Sequence, residues 1–373
     1  FFYAPPSGHL AICTGNLPVA DSIDPAQTDD DFPQKLFSPL LYVGNGSDDR
    51  NITGVGFAPD WVWMKSRTDA EGHQNWDTSR GVEKRLQQNS SGAEESTSDK
   101  FQAFQSDGFQ VGSSNDTNKS SSNFVTWNWR ANGGTTAANS VGGTASVTQV
   151  DPSKALSIVT YTGFSGASGS STVGHGMGVA PAMIIHKSRT RSSGWWTQFP
   201  NILTNAGYFL DLSDNGAETN LNSYGTMNAP TTSVFTINGV DGVGGESANY
   251  IAYCFANIEG YCKVGEYIGN GNASGPFIYT GFRPAMMIIR EYGAADNWLI
   301  YDNKRLGYNL TSAGNEVLYP DLPNASENQA SRAVDILSNG FKLRTSNGTG
   351  NASSGKYVYL AMAHNPFKYA TAR

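Results

Sequence analysis

Charge is scarce in this chain of 373 residues: Asp, Glu, Lys and Arg make up 15%, and 25 Lys+Arg against 32 Asp+Glu leave a net charge of −7. A nucleic-acid-binding domain gains affinity by replacing counterions with a basic face, so none is expected here. Cysteine is scarcer still. Cys13, Cys254 and Cys262 are odd in number and without CxxC spacing, which indicates neither a zinc knuckle nor a disulfide framework and leaves buried free thiols as the plain reading. No run of 18 apolar residues occurs, and Phe1-Phe2-Tyr3-Ala4-Pro5-Pro6 lacks the basic and apolar regions of a signal peptide. Neither a membrane helix nor export through the general pathway is expected. The histidines, His9, His73, His175, His186 and His364, form no HExxH and no i, i+4 pair, and the Gly-rich run 239–245 lacks the Gly-Lys-Ser/Thr ending of a phosphate cradle. No metal or other cofactor is expected.

What the chain does have is glycine, 42 residues of it, together with 12% aromatics and abundant Asn, Ser and Thr, a composition of short strands joined by many turns. One phrase recurs three times. It opens with an aromatic and a Gly turn: Tyr42-Val43-Gly44-Asn45-Gly46, Tyr161-Thr162-Gly163 and Tyr267-Ile268-Gly269-Asn270-Gly271. Asn-Gly tolerates positive φ, so a strand should end there. Next comes Gly, an apolar residue, any residue, Pro and an apolar run closed by a cation: Gly56 to Lys65, Gly178 to Lys187 and Gly281 to Arg290. Pro cannot donate to a ladder and marks the start of the strand, while an apolar run without alternation implies burial on both faces. Each copy closes on an aromatic-rich strand, at Phe124 to Trp129, Tyr250 to Phe255 and Tyr357 to Ala363, at similar distances from its Pro. Before it, Ser106-Asp107-Gly108-Phe109 matches Ser338-Asn339-Gly340-Phe341, and Ser233-Val234-Phe235 is the weaker counterpart in the middle copy.

The fold expected is all-β, three tandem β-sandwich, jelly-roll-like modules of roughly 100 residues each. Their bounds are 35–131, 155–258 and 259–373, with 132–154 a Gly/Ser/Thr linker, flexible or crossing the surface, and 1–34 the end of a preceding domain plus an acidic connector. The short tether at Asn257-Ile258-Glu259-Gly260 favours a fixed geometry between the last two. Calcium binding by the run Asp21, Asp24, Asp29, Asp30 and Asp31 is weighed against solvated connector, without the Gly turn a calcium loop uses.

Chemistry is hard to find in these residues. Asp77, Asp211, Glu266, Asp302 and Glu327 are the carboxylates a glycan hydrolase would need, but none sits in an acid–base motif, and Trp76-Asp77-Thr78-Ser79-Arg80 parallels Tyr301-Asp302-Asn303-Lys304-Arg305, the pattern of a local salt bridge or Asx turn. No enzyme is expected. Trp76, Trp195, Trp196 and Trp298 lie in Asn/Ser/Gly-rich surroundings where a flat ring could stack on a sugar; equally, they could cap the sandwich or fill a contact between modules or subunits. They are the candidate glycan or subunit contacts. Trp61, Trp63, Trp127 and Trp129 alternate within strands and read as core.

The Gly-Phe-x-Pro phrase, the Ser-(Asp/Asn)-Gly-Phe turn and the ending Tyr357-Val358-Tyr359-Leu360-Ala361-Met362-Ala363-His364-Asn365-Pro366-Phe367-Lys368 resemble the repeated β domains of tail-fibre and virion structural proteins of marine bacteriophages, including cyanophages. The stub Tyr3 to Pro18 is similar to the end of a SPRY-type, concanavalin-like sandwich. The resemblance implies a virion protein displayed outside the particle, extracellular, a homotrimer with other virion proteins as partners, whose modules bind a host surface glycan or envelope component or build an appendage. Nucleic acid and membrane insertion are not implied. A purely architectural virion component and a polysaccharide depolymerase are the competing readings.

Overall fold

The computed structural model describes residues 33–164, 166, 169–305, 309 and 315–363. The stub, Cys13, the Asp run and the phrase from His364 to Lys368 lie outside the described residues. The fold is all-β, in antiparallel sheets. In the first repeat the order is Phe37–Val43, Asn123–Trp129, Trp61–Ser66, Gln74–Asp77, Lys84–Gln87, Glu95–Ser96. The second repeat has Leu156–Thr162, Asn249–Phe255, Met183–Ser188, Trp196–Gln198, Tyr208–Asp211, Thr219–Asn220 in the same order, and the third Cys262–Ile268, Lys356–Ala363, Pro284–Glu291, Leu299–Asp302. Each large sheet is accompanied by a small one: Arg50–Thr53 with Gly108–Val111 and Phe101–Gln105, Ser170–Gly174 with Val234–Asn238, and Phe277–Tyr279 with Gly340–Leu343 and Val334–Leu337.

The aromatic that opens each phrase is explained by its packing. Tyr42 stacks on Phe124 at 5.0 Å and meets Phe109 edge-on at 6.3 Å. Tyr161 does the same with Tyr250 (5.3 Å) and Phe235 (5.8 Å), and Tyr267 with Tyr357 (4.8 Å) and Phe341 (6.3 Å). The three triads join the first strand, the last strand and the small sheet, and they place Phe235 as the counterpart of Phe109 and Phe341.

The glycine two residues beyond the aromatic serves close approach. A side-chain carbon at Gly44, Gly163 or Gly269 would lie 2.0, 2.0 or 2.3 Å from the carbonyl oxygen of Lys119, Gly245 or Ala352. Positive φ is found instead at Gly46 and Gly271, the glycines of the Asn-Gly pairs. Gly163→Ala is therefore expected to destabilise by about 1–3 kcal/mol through overpacking, read as a lower urea midpoint at unchanged slope.

Pro59, Pro181 and Pro284 are buried; Pro59 and Pro181 lie two residues before the first paired residue of the central strand, Trp61 opposite Trp129 and Met183 opposite Phe255, whereas Pro284 is itself paired with Ala363 and the register shifts before Met286 meets Met362. Only Pro284 is itself within the strand. The unbroken apolar run has a plain cause. Val62 and Met64 face the sandwich interior with Phe109, whereas Trp61 and Trp63 face a second cluster that takes side chains from all three repeats. In the second repeat Ile184 faces inward and Met183 and Ile185 face the shared cluster.

The segment 132–154 is not the expected linker. Ala137–Asn139 and Ser146–Val150 are strands that extend the second repeat's large sheet to eight. Gly133 and Gly134, at φ 60° and 77°, turn their N–H groups with that of Ala131 onto the buried Asp60 carboxylate at 2.6–2.9 Å. The Gly/Thr-rich composition serves a carboxylate-binding turn and a strand edge, and composition alone does not separate these from a flexible run.

Candidate functional site

Three of the four candidate tryptophans have no face open to a ligand. Trp76 is fully buried inside the first sandwich, stacked on Phe101 at 5.1 Å. Trp195 and Trp298 are buried where repeats meet, and each donates its indole N–H to the repeat before it: Trp195 Nε1 to Gln87 O at 2.7 Å, Trp298 Nε1 to Asp211 O at 2.8 Å. Trp196 is half-buried, its ring against Gly242.

Strand registers place His73 at the position of Trp195 and Trp298, and Tyr319 at the position of Gln87 and Asp211. His73 Nε2 lies 2.9 Å from Tyr319 O, while its Nδ1 accepts from Trp63 Nε1 at 2.8 Å, which fixes the Nε2–H tautomer as donor. Burial holds the His73 ring neutral, its pKa well below the usual range. The second repeat thus docks on the first, the third on the second, and the first on the third. A head-to-tail interface repeated three times with closure is a ring, formed here within one chain.

Further contacts repeat around it. Glu94 N donates to Arg189 O (2.8 Å), Glu218 N to Tyr292 O (3.1 Å) and Ser326 N to Arg67 O (2.8 Å). Arg189 grips Glu94 through two bonds at 2.9 and 3.0 Å, and Arg67 reaches both oxygens of Glu316. Deeper in, Tyr253 Oη donates to Asp77 Oδ2 at 2.7 Å and Trp127 Nε1 to Asp302 Oδ2 at 3.1 Å. Asp77 and Asp302 also hold Arg80 and Arg305 in fully buried salt bridges. At the remaining junction the matching positions are Phe199 and Leu360, both in the shared cluster. Acceptor and donor have been replaced together, so neither is left buried without the other.

The central-strand cations take part too. Lys187 Nζ donates to Ser91 O of the preceding repeat at 3.1 Å and to Ser193 O at 2.6 Å, and Arg290 Nη2 to Gly216 O at 2.5 Å. Burial lowers the Lys187 ammonium from 10.5 to about 8, against the pull of Asp211. With its folded pKa below the unfolded one, the folded protein binds fewer protons, so this group adds stability as pH rises from about 8 to 10.5. Lys187→Met is expected to flatten that rise in thermal midpoints measured across the same range.

Two grooves lie at junctions. One of about 360 Å³, between the second and third repeats, is lined by Thr204, Glu218, Glu291, Tyr292 and Lys356. Thr204 holds Glu218 by its N–H (3.0 Å) and hydroxyl (2.5 Å), and burial pushes the Glu291 carboxyl up. Another, of about 230 Å³, lies between the first and third with Phe37, Pro39 and Ala285. Cys254 and Cys262 are buried free thiols whose pKa burial pushes up. Among the described residues the exposed aromatics are elsewhere: Tyr224 at 45%, Phe277 at 46% and Tyr279 at 65%. Reading Trp and not Phe or Tyr as the signal overlooks the last two, although the alternation Phe277-Ile278-Tyr279 is written beside the third Pro-led phrase. His73 is overlooked because it does not look like a tryptophan.

The family described as a domain of unknown function, DUF7483, matches residues 32–366, and the chain belongs to it. One family unit thus spans all three repeats. No curated protein and no solved structure matches the chain.

Proposed function

We propose that this is a virion appendage protein of the tail-fibre kind, non-enzymatic, composed of three sandwich modules closed into a rigid ring that presents a binding surface to a host glycan or envelope component. The observation that carries the reading is the use made of the buried functional-looking groups. Asp77, Asp302, His73, Trp195 and Trp298, the side chains from which an active site or a sugar platform would be drawn, all hold one repeat to another. Such a body suits display and attachment, where many weak contacts multiply by avidity. The resemblance to marine phage repeats supplies the setting: other virion proteins as partners and an extracellular particle as location. The homotrimer it implies would be an assembly of rings, since closure of one ring needs a single chain.

The architectural reading is favoured by the same buried contacts; what separates it is the exposed aromatic pair of the third repeat, which closure does not use. Immunogold labelling of intact particles tests the proposal. Label on an outer appendage is expected, and a protein found in infected cells but absent from particles overturns it.

A further inference from the structure

Phe277–Tyr279 is the edge strand of its sheet, hydrogen-bonded on one side, to Gly340–Leu343. Its middle residue, Ile278, is buried opposite Phe341, while Phe277 and Tyr279 project to solvent. The first repeat has the same strand in the same register. There Ile52 is buried opposite Phe109, and the flanking exposed residues are Asn51 and Thr53. In the second repeat Val173 is buried opposite Phe235 and is flanked by Thr172 and Gly174. Folding of this strand therefore asks for one inward aliphatic residue, and polar or absent side chains serve on either side of it. The two aromatics of the third repeat are additional to what the fold requires.

A side-chain carbon at Gly340 would lie 3.0 Å from Phe277 Cε2, and one at Gly281 would lie 3.7–3.9 Å from the Tyr279 ring and hydroxyl. Phe277 lies close against Gly340, Tyr279 is in ordinary van der Waals reach of Gly281, and the two side chains are 46% and 65% exposed. Lys342, directly across from Phe277, is held by Gly275 O at 2.9 Å, so the border of the pair is polar and fixed.

We infer that Phe277 and Tyr279 form a stacking platform for a neutral glycan. The inference rests on the glycan-binding reading above and names its site. Two rings spaced ~7 Å apart along one strand face offer successive flat surfaces to the apolar C–H faces of a sugar chain. A protein partner needs more. Each ring has a burial capacity of ~150–250 Å², so the pair, already partly covered, falls far below the ~800 Å² per side of a stable interface. A nucleic acid, which also stacks on aromatics, meets a chain of net charge −7.

The test uses the full chain on an array of neutral gluco-, galacto- and manno-oligosaccharides, comparing it with Phe277→Ala, Tyr279→Ala, the double variant, and Tyr224→Ala as an exposed-aromatic control on the second repeat. Binding is expected to weaken about tenfold or more for each ring removed, with the control unchanged and all melting curves alike, because both side chains are exposed. Tyr279→Trp should retain binding. If the double variant binds as the parent does, the site is wrong while glycan recognition stands; if the parent binds none of these neutral sugars, the inference fails, and the reading above stands or falls on the particle labelling. Concentration-dependent self-association that the double variant abolishes would make the patch a contact between copies and overturn the inference.

Discussion

Trp61→Ala is expected to cost about 3–5 kcal/mol, the range for truncating a large buried aromatic. The ring stacks on Trp129 of its own repeat at 4.2 Å and on Tyr253 of the second repeat at 4.1 Å, and it is 1% exposed. Its loss opens a cavity between two sheets that are themselves held by residues more than a hundred positions apart, so local collapse cannot refill it. Urea unfolding followed by tryptophan fluorescence and by circular dichroism is the measurement. Beyond the lower midpoint, the two probes should cease to coincide as the first and second repeats lose their common core. A loss under about 1 kcal/mol with coincident transitions would mean that this stack does not join the repeats.

Asp77→Ala is expected to cost a similar amount, about 3–5 kcal/mol, because the buried Arg80 guanidinium loses the closer of its two carboxylates. Arg80 would keep the carbonyls of Asn75 and Lys84 and the Glu94 carboxylate at 3.4 Å but lose that of Asp77, and the Tyr253 hydroxyl would lose its acceptor. The protein itself indicates the remedy. At the corresponding junction between the second and third repeats, registers place Phe199 and Leu360 where the first junction has Asp77 and Tyr253, and Ile202 follows Phe199 in the same turn as Arg80 follows Asp77. The triple change Asp77→Phe, Arg80→Ile and Tyr253→Leu should therefore be much less destabilising than Asp77→Ala alone, since exchange of a whole buried polar set for apolar groups is often near neutral. A triple variant worse than the single one would show that the two junctions are not equivalent.

The contrast between those junctions also shows what was legible in the chain. Residues that pack within a repeat could be read because they recur as the same letters. The opening aromatics Tyr42, Tyr161 and Tyr267 stack in every copy on the first aromatic of the closing strand, Phe124, Tyr250 and Tyr357. Residues that pack between repeats were hidden, because their partners lie in another copy and the letters diverge. His73, Trp195 and Trp298 perform one task with two chemistries, and Tyr253, Trp127 and Leu360 occupy one position with three. The Asn/Ser/Gly-rich neighbours of Trp195 and Trp298 fit a sugar platform, a sandwich cap or a contact between modules alike, and the letters alone do not choose the contact that the hydrogen bonds to Gln87 and Asp211 show. Segment 132–154 was misjudged for a related reason, since its strands gain their partners from residues 156–162 and its glycines from Asp60.

Closure of the ring is the claim on which the account depends, and the junction between the first and third repeats is where it can be caught. Arg67 and Glu316 meet there, each about a fifth to a quarter exposed. With Arg67→Cys and Glu316→Cys introduced together on a Cys13→Ser background, a short bis-maleimide should join the two positions within one chain, seen by mass spectrometry as a single-chain mass carrying the bridged peptides. Reagent attached at both positions without a bridge, or bridges only between separate chains, would contradict a ring closed by one polypeptide.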